Sequence, residues 1–471
     1  MQAPASTFLK SKKPWLNQLV TKLNQHFTYA SALGTDVAGK QYYVSDKVTS
    51  IADSPWAERG FVVRVYNQGR YFEHAFNQLP EDDTAIDALV TQITKAANAQ
   101  IAPAFLYPEP QEEAITQVYH GEVSELPGTM GPDKIISRLT GITKKLHDTS
   151  PLLAEAMASV SYAQVSKIFI SAKKDLEQHY IWSEAYLIPI ARRDDTTREL
   201  YESFAGLKGL EILHELDSGA EKVVKNTCKL LDAKPMPPGE YDVICSPDAV
   251  GLIAHEAFGH GVELDMFLKN RANASQYIGM PVAAPMANMR DGATSAQHMS
   301  SYLFDDEGNL GADTLVIENG ILRAGISDAL SAAQLGLAPT GNGKRQTYAN
   351  KAYSRMTNTF FEPGTDKLAD MIKSIKHGYL IEVSQSGMED PKDWGIQCIF
   401  SYAREIMDGE VTNNWVAPVV MTGYVPDLLK NITMMSEDFE LFGSGGCGKG
   451  YKEWVKVSCG GPYIKTRARL G

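Results

Sequence analysis

His255-Glu256-Ala257-Phe258-Gly259-His260 sets two imidazoles on either side of a carboxylate. A neutral imidazole nitrogen is a zinc ligand, and a glutamate beside two such ligands can take a proton from a metal-bound water. The spacing is unusual for this chemistry. At about 100° per residue, histidines four apart on a helix lie about 40° from one another, whereas five apart they lie about 140° from one another. A regular α-helix could not aim both rings at one ion. The pattern therefore requires the helix to end at Gly259 or to widen there into a π-type turn, with Gly259 and Gly261 easing either distortion.

A catalytic zinc usually has three protein ligands and an open position. Glu263 and Asp265 follow His260 closely, and Cys447 stands far away in Gly443-Ser444-Gly445-Gly446-Cys447-Gly448-Lys449-Gly450. Glycine on both sides lets backbone approach an ion or a substrate strand, and Lys449 would favour the metal-binding thiolate. On chemistry alone Cys447 stands slightly ahead of Glu263. The same loop imitates a phosphate-binding loop up to Gly450, which occupies the place of the Mg²⁺-holding Ser or Thr. The residues after it, Tyr451 to Val457, alternate like a strand rather than opening a helix, which argues against nucleotide binding. Cys459, beside Gly460-Gly461-Pro462, is a spare ligand or a turn cysteine. His214-Glu215 is half a metal motif without a partner and reads as a solvated or core pair.

The histidine motif must be held by a helix. Ser246-Pro247-Asp248 is a strong helix start, with serine at the cap and proline in the first turn, so a helix is expected over 247–260 after a strand over 241–245. Asn319-Gly320 and Asp408-Gly409 mark hairpins, with helices expected near 326–335, 365–376 and 426–434. Upstream, helices are expected over 12–27, 82–100, 132–148 and 213–232. A hairpin should turn at Asn67-Gln68-Gly69, strands should cover 160–193, and 101–130 should be largely irregular. With 471 residues the chain exceeds one ordinary core. The proline-rich Lys234–Gly239 segment divides it into 1–233, an α+β domain, and 234–471, a largely antiparallel β domain carrying the metal-binding helix. The fold class is α+β.

A net charge of −12 without a long basic run argues against nucleic-acid binding. No apolar run approaches the ~20 residues of a membrane helix, and the N-terminus lacks the apolar stretch of a secretory signal. Five scattered cysteines form no disulfide framework. The expectation is a reduced, cytoplasmic protein. Cys228, Cys245 and Cys398 read as packing residues.

The sequence resembles the TldD/PmbA family of metallopeptidases, once called modulators of DNA gyrase. The matching segments are His255–Gly261 with Glu263 and Asp265, then Asp305–Gly308, Leu315–Leu322, Leu337–Arg345, Arg355–Thr359 and Cys447–Lys449. The resemblance implies that His255 and His260 bind Zn²⁺, that Cys447 rather than Glu263 completes the site, and that Glu256 is catalytic, activating a zinc-bound water. A retained histidine motif implies the active, TldD type, a peptidase of small or unfolded peptides. The implied assembly is a homodimer, or a heterodimer with a PmbA/TldE-like relative. The rival expectation is a non-catalytic, zinc-stabilised partner subunit. The chain departs from the type after Cys447, where Gly450-Tyr451-Lys452-Glu453-Trp454 replaces the family's usual segment, a stretch expected to shape the substrate cleft.

Overall fold

A computed structural model describes residues 1–79, 83–101, 105–449 and 453–471. Two large sheets organise the chain, giving the expected α+β class with antiparallel pairing dominant in both. Among the described residues no helix is long and apolar enough to cross a membrane.

The first sheet is nine-stranded and is built around two very long strands, Leu153–Ser171 and Lys174–Arg193, paired antiparallel along almost their whole length. Tyr29–Ser45 pairs with the first of them and with Glu58–Asn67, which turns through Gln68 (φ 46°) and Gly69 (φ 85°) into Arg70–Phe76. Both turn residues are left-handed, as a two-residue hairpin matched to sheet twist requires. Period-two alternation gives the sheet two buried faces. Ala30, Ala32, Ala158, Val160 and Ile168 meet the helices Thr7–Leu23, Asp83–Asn98, Pro132–Thr149 and Leu216–Leu230. Leu33, Val165 and Phe169 point the other way, toward Met299 and Phe304 from the second half of the chain.

Two expectations upstream are corrected. The first helix starts at Thr7 rather than residue 12, because Ser6 caps it by accepting from Leu9 N at 3.1 Å; Pro14 lies inside it. The stretch 101–130 contains the strand Ile115–His120, parallel to Lys174–Arg193, which supplies the ladder partners that its own Pro- and Glu-rich surroundings do not suggest. Residues 82 and 102–104 lie outside the described residues.

Buried ion pairs lock the second half onto the first sheet. Glu73 Oε1 lies 2.8 Å from Arg64 Nη2 and 2.5 Å from Arg345 Nη2, Arg64 also pairs with Glu307, and Lys167 pairs with Asp306. Burial alone would raise the Glu73 carboxyl, but the two guanidiniums bring it down to about 2. A carboxylate depressed in the folded state stabilises it above the ordinary pKa and loses that contribution as pH falls from about 4.5 toward 2. A wild-type melting temperature should therefore drop across that window by the equivalent of a few kcal/mol. Glu73→Gln should flatten this limb in a thermal-unfolding pH series.

The second sheet has eleven strands. At its centre Gly239–Cys245 runs parallel to His377–Asp390 and antiparallel to Ser458–Leu470. Gly395–Met407 pairs with His377–Asp390 on the far side and turns through Asp408 (φ 49°) and Gly409 (φ 82°) into Glu410–Val416. Asn319 (φ 51°) and Gly320 (φ 77°) make the other expected hairpin, and the three interrupting helices are short: Ala329–Leu335, Leu368–Lys373 and Val425–Lys430. Ser246 caps the helix that follows the central strand by accepting from Ala249 N. That helix lays Val250, Ile253 and Ala254 into the main core, and Ala257 just beyond it joins them.

Candidate metal centre

The helix expected over 247–260 is α-helical only over Pro247–Ala254. His255–Gly259 then widens into a single π turn, in which His260 N donates to His255 O, and His260–Val262 tightens into a 3₁₀ turn. Phe258 (φ −125°, ψ 17°) absorbs the distortion. The extra residue swings His260 round to the side of His255, so that the rings stand 5.1 Å apart at 89°. Gly259 is needed for a different reason from the expected one. Its φ of −79° is ordinary, but a Cβ there would lie 2.0 Å from Met356 Sδ, which is fully buried. Gly259→Ala should lower stability by about 1–3 kcal/mol through overpacking. A thermal melt measures this, and Met356→Ala should cost less in the Gly259→Ala chain than in the wild type, the coupling expected of residues in contact.

Cys447 arrives from 187 residues away on a short strand, Cys447–Lys449, paired with Glu453–Val455. Its Sγ lies 3.2 Å from His260 Nε2, and one donor atom from each of His255, His260 and Cys447 falls within 4.8 Å of the others. Tetrahedral zinc with Zn–N near 2.0 Å and Zn–S near 2.3 Å needs donor separations of roughly 3.4–3.6 Å, so the trio fits one such ion. Burial would push the Cys447 thiol up, but His255 and His260 hold it well below its usual range, the thiolate form that binds metal. Lys449 is not the cause, contrary to expectation. It is taken up by Glu263 at 3.0 Å and Asp265 at 2.6 Å.

Glu263 stands behind the ligands rather than among them. Its Oε2 lies 3.2 Å from His260 Nδ1, which directs Nε2 toward Cys447, as carboxylates behind metal-binding histidines do. Burial would raise this carboxyl; Lys449, His260 and Arg355 bring it to about 2. Arg355, almost completely buried, also donates to Cys447 O and to Glu453 O at 2.7 Å each, tying the cysteine loop to the helix side of the site. Arg355 opens the Arg355–Thr359 segment, and no local spacing marks it for this role. Asp265 is bound by Lys449 and Lys269. Cys459 lines the same cavity outside the trio, its thiol pushed up by burial. His214 lies on the surface against Glu125.

Glu256 projects beside the trio and is 8% exposed. Burial raises its carboxyl, His255 and His260 partly offset that, and the Cys447 thiolate adds to it. The strand His377–Asp390 passes close by, and a Cβ on Gly387 would lie 2.6 Å from Glu256 Cγ. That strand bulges between Ser384 and Ser386, with Val383 at φ 60°, a strained position for a β-branched residue. Asp248 holds the bulge by accepting from Ser384 N at 2.5 Å and Ser384 Oγ at 2.8 Å, while Tyr201 OH donates to Ser384 O.

The result is a cavity of about 770 Å³ with Glu256 and the trio in its wall. Chain from the first half, which the sequence left without chemistry, supplies Tyr186, Glu199 and Tyr201. It also anchors the glycine loop. Lys456 bridges Glu184 Oε2 (2.5 Å) and Gly445 O (2.6 Å), and Ser203 Oγ meets Ser444 Oγ at 2.8 Å. The segment expected to shape the cleft is described only from Glu453; residues 450–452 lie outside the described residues. Among the described residues the next element after Lys449 is the strand Glu453–Val455, not the helix that a phosphate-binding loop opens.

Residues 238–468 match the PmbA/TldA metallopeptidase C-terminal domain. A metalloprotease of Methanocaldococcus jannaschii is 31% identical over 66% of this chain and 69% of its own length. A zinc metalloprotease TldD homolog of Saccharolobus solfataricus is 32% identical over 60% of this chain and 63% of its own. The chain spans between 58% and 69% of the first curated relatives it matches. The crystal structure of TldE from Thermococcus kodakarensis superposes with a TM-score of 0.76 at 17% identity, covering 96% of this chain and 99% of that one, a likeness of fold.

Proposed function

The chain belongs to the PmbA/TldD metallopeptidase family, and we propose that it is a zinc-dependent peptidase of the TldD type that hydrolyses small or unfolded peptides. The observation that carries this reading is the approach of His255, His260 and Cys447 donor atoms to within 4.8 Å beside a buried glutamate in an open cavity. In it these three residues hold the ion and Glu256 is the catalytic residue.

Zinc held there supplies a positive charge that acidifies water and polarises a carbonyl. Cys447 adds a negative charge that three imidazoles would not, which tempers that acidity. Glu256 accepts the proton of the attacking water and delivers it to the leaving amine, and burial raises its proton affinity toward what such a carrier needs. Glu263 fixes the tautomer of His260. Beyond Ile381 the strand His377–Asp390 has no ladder partner on its cleft side among the described residues, so Ser384–Glu389 and the glycine loop can receive a peptide as an added strand.

We place the domain boundary between 233 and 234, the metal centre in the second domain, and the working unit in the cytoplasm as a dimer with itself or with a PmbA/TldE-like relative. The test is cleavage of an unstructured fluorogenic peptide before and after chelation. Activity should vanish with the chelator and return with zinc in proportion to bound metal. Cleavage that survives complete removal of metal would overturn the reading.

A further inference from the structure

Among the described residues Glu389 is a carboxylate at the centre that no Lys or Arg pairs with and no group donates to, with only the His260 ring close by. Glu263 and Asp265 share Lys449, with Arg355 and Lys269 behind them. Asp248 is held by Ser384. A divalent ion on the His255–His260–Cys447 trio would be balanced by one thiolate and Glu256. Both oxygens of Glu389 are buried, and neither has a hydrogen-bond partner among the described residues. Leaving a buried carboxylate unpaired is costly, and such a group calls for a cation or a donor from outside.

Its placement says where that cation would sit. Gly387 and Glu389, two apart on a strand, face the same side. The first abuts Glu256, and the second brings Oε1 to 3.1 Å from where a Cβ on Gly261 would stand, next to His260. Gly387 and Glu389 are about 7 Å apart along the strand, the length of two residues of an added peptide, so Glu389 stands one or two peptide residues from the bond to be cut. Among the described residues the cavity is lined by Glu199, Asp248, Glu256 and Glu389 and by no Lys or Arg. A low-dielectric cleft of one sign concentrates ligands of the other. Ile188, Leu252 and Val457 in its wall suit the aliphatic stem of a basic side chain.

We propose that Glu389 is the specificity anchor of this cleft and receives a cationic group of the peptide, an ammonium or guanidinium, beside the bond to be hydrolysed. This rests on the peptidase reading above.

Quenched-fluorescent peptides that differ only in Lys against acetyl-lysine, each with a free or an acetylated N-terminus, test it in wild type, Glu389→Gln and Glu389→Asp. Wild type should favour the charged peptide by about tenfold or more in kcat/KM, less at high salt. Glu389→Gln should bring that ratio near one with zinc content unchanged, and Glu389→Asp should restore part of it. A preference that follows the free N-terminus identifies an α-ammonium; one that follows the lysine identifies a side chain. Equal treatment by wild type, or a ratio that survives in Glu389→Gln, would overturn the proposal while leaving the peptidase reading standing. The same peptides, titrated by fluorescence anisotropy onto metal-free Glu256→Ala protein with and without Glu389→Gln, should show the same preference and its loss. This arm decides the matter even if no peptide is cleaved, the outcome in which the peptidase reading itself would fail.

Discussion

Glu256→Gln is expected to lose peptide cleavage by roughly 10²–10⁴-fold or more while keeping its zinc. The exchange is isosteric and removes only the ability to carry a proton. Glu256 lies outside the convergent trio, so the donor atoms that hold the ion are untouched. The fold should not suffer, because burial already disfavours the charged form of this side chain and an amide escapes that penalty. Single-turnover cleavage, zinc content and a thermal melt on one preparation separate the effects. Lost cleavage with full metal and an unchanged or raised melting temperature is the expected set. Full cleavage by Glu256→Gln would remove it from the mechanism.

Cys447→Ser should weaken zinc binding by more than about 100-fold, read by competition with a chromogenic chelator. Altering a residue that merely orients a ligand already costs about 10–100-fold, and this substitution removes a ligand outright. The nested control is Glu263→Gln, which leaves all three donors in place and relaxes only His260. It should fall within that smaller range. It also leaves Lys449 and Arg355 short of a counter-charge, so its stability should drop more than that of Cys447→Ser. Wild-type zinc affinity in Cys447→Ser would require a different third ligand.

What could be read in advance follows the range of the interaction. The five-residue histidine spacing is local, and it demanded the π turn found at His255–Gly259. The caps and two-residue turns at Ser246, Asn319-Gly320 and Asp408-Gly409 are local too. Where a residue's reason lies far away, sequence was silent or misleading. Gly259 looked like a flexible joint, yet it makes room for Met356. Lys449 looked like the thiol's activator, yet two carboxylates from the other side of the site claim it. Ile115–His120 has no alternation to announce it and becomes a strand because Lys174–Arg193 offers an edge. The glycine-rich setting of Cys447 put it only slightly ahead of Glu263, and the family resemblance chose between them. Glu389 left no signal at all, because a missing partner cannot be read from a chain whose contacts are unknown.

The most direct test of the central claim is X-ray absorption at the zinc edge of the loaded protein. A His255–His260–Cys447 centre with an open position gives one sulfur at about 2.3 Å and three nitrogen or oxygen neighbours near 2.0 Å, two with imidazole scattering and one that exchanges with added ligand. A shell without sulfur, a second sulfur, or four non-exchangeable protein ligands would contradict it.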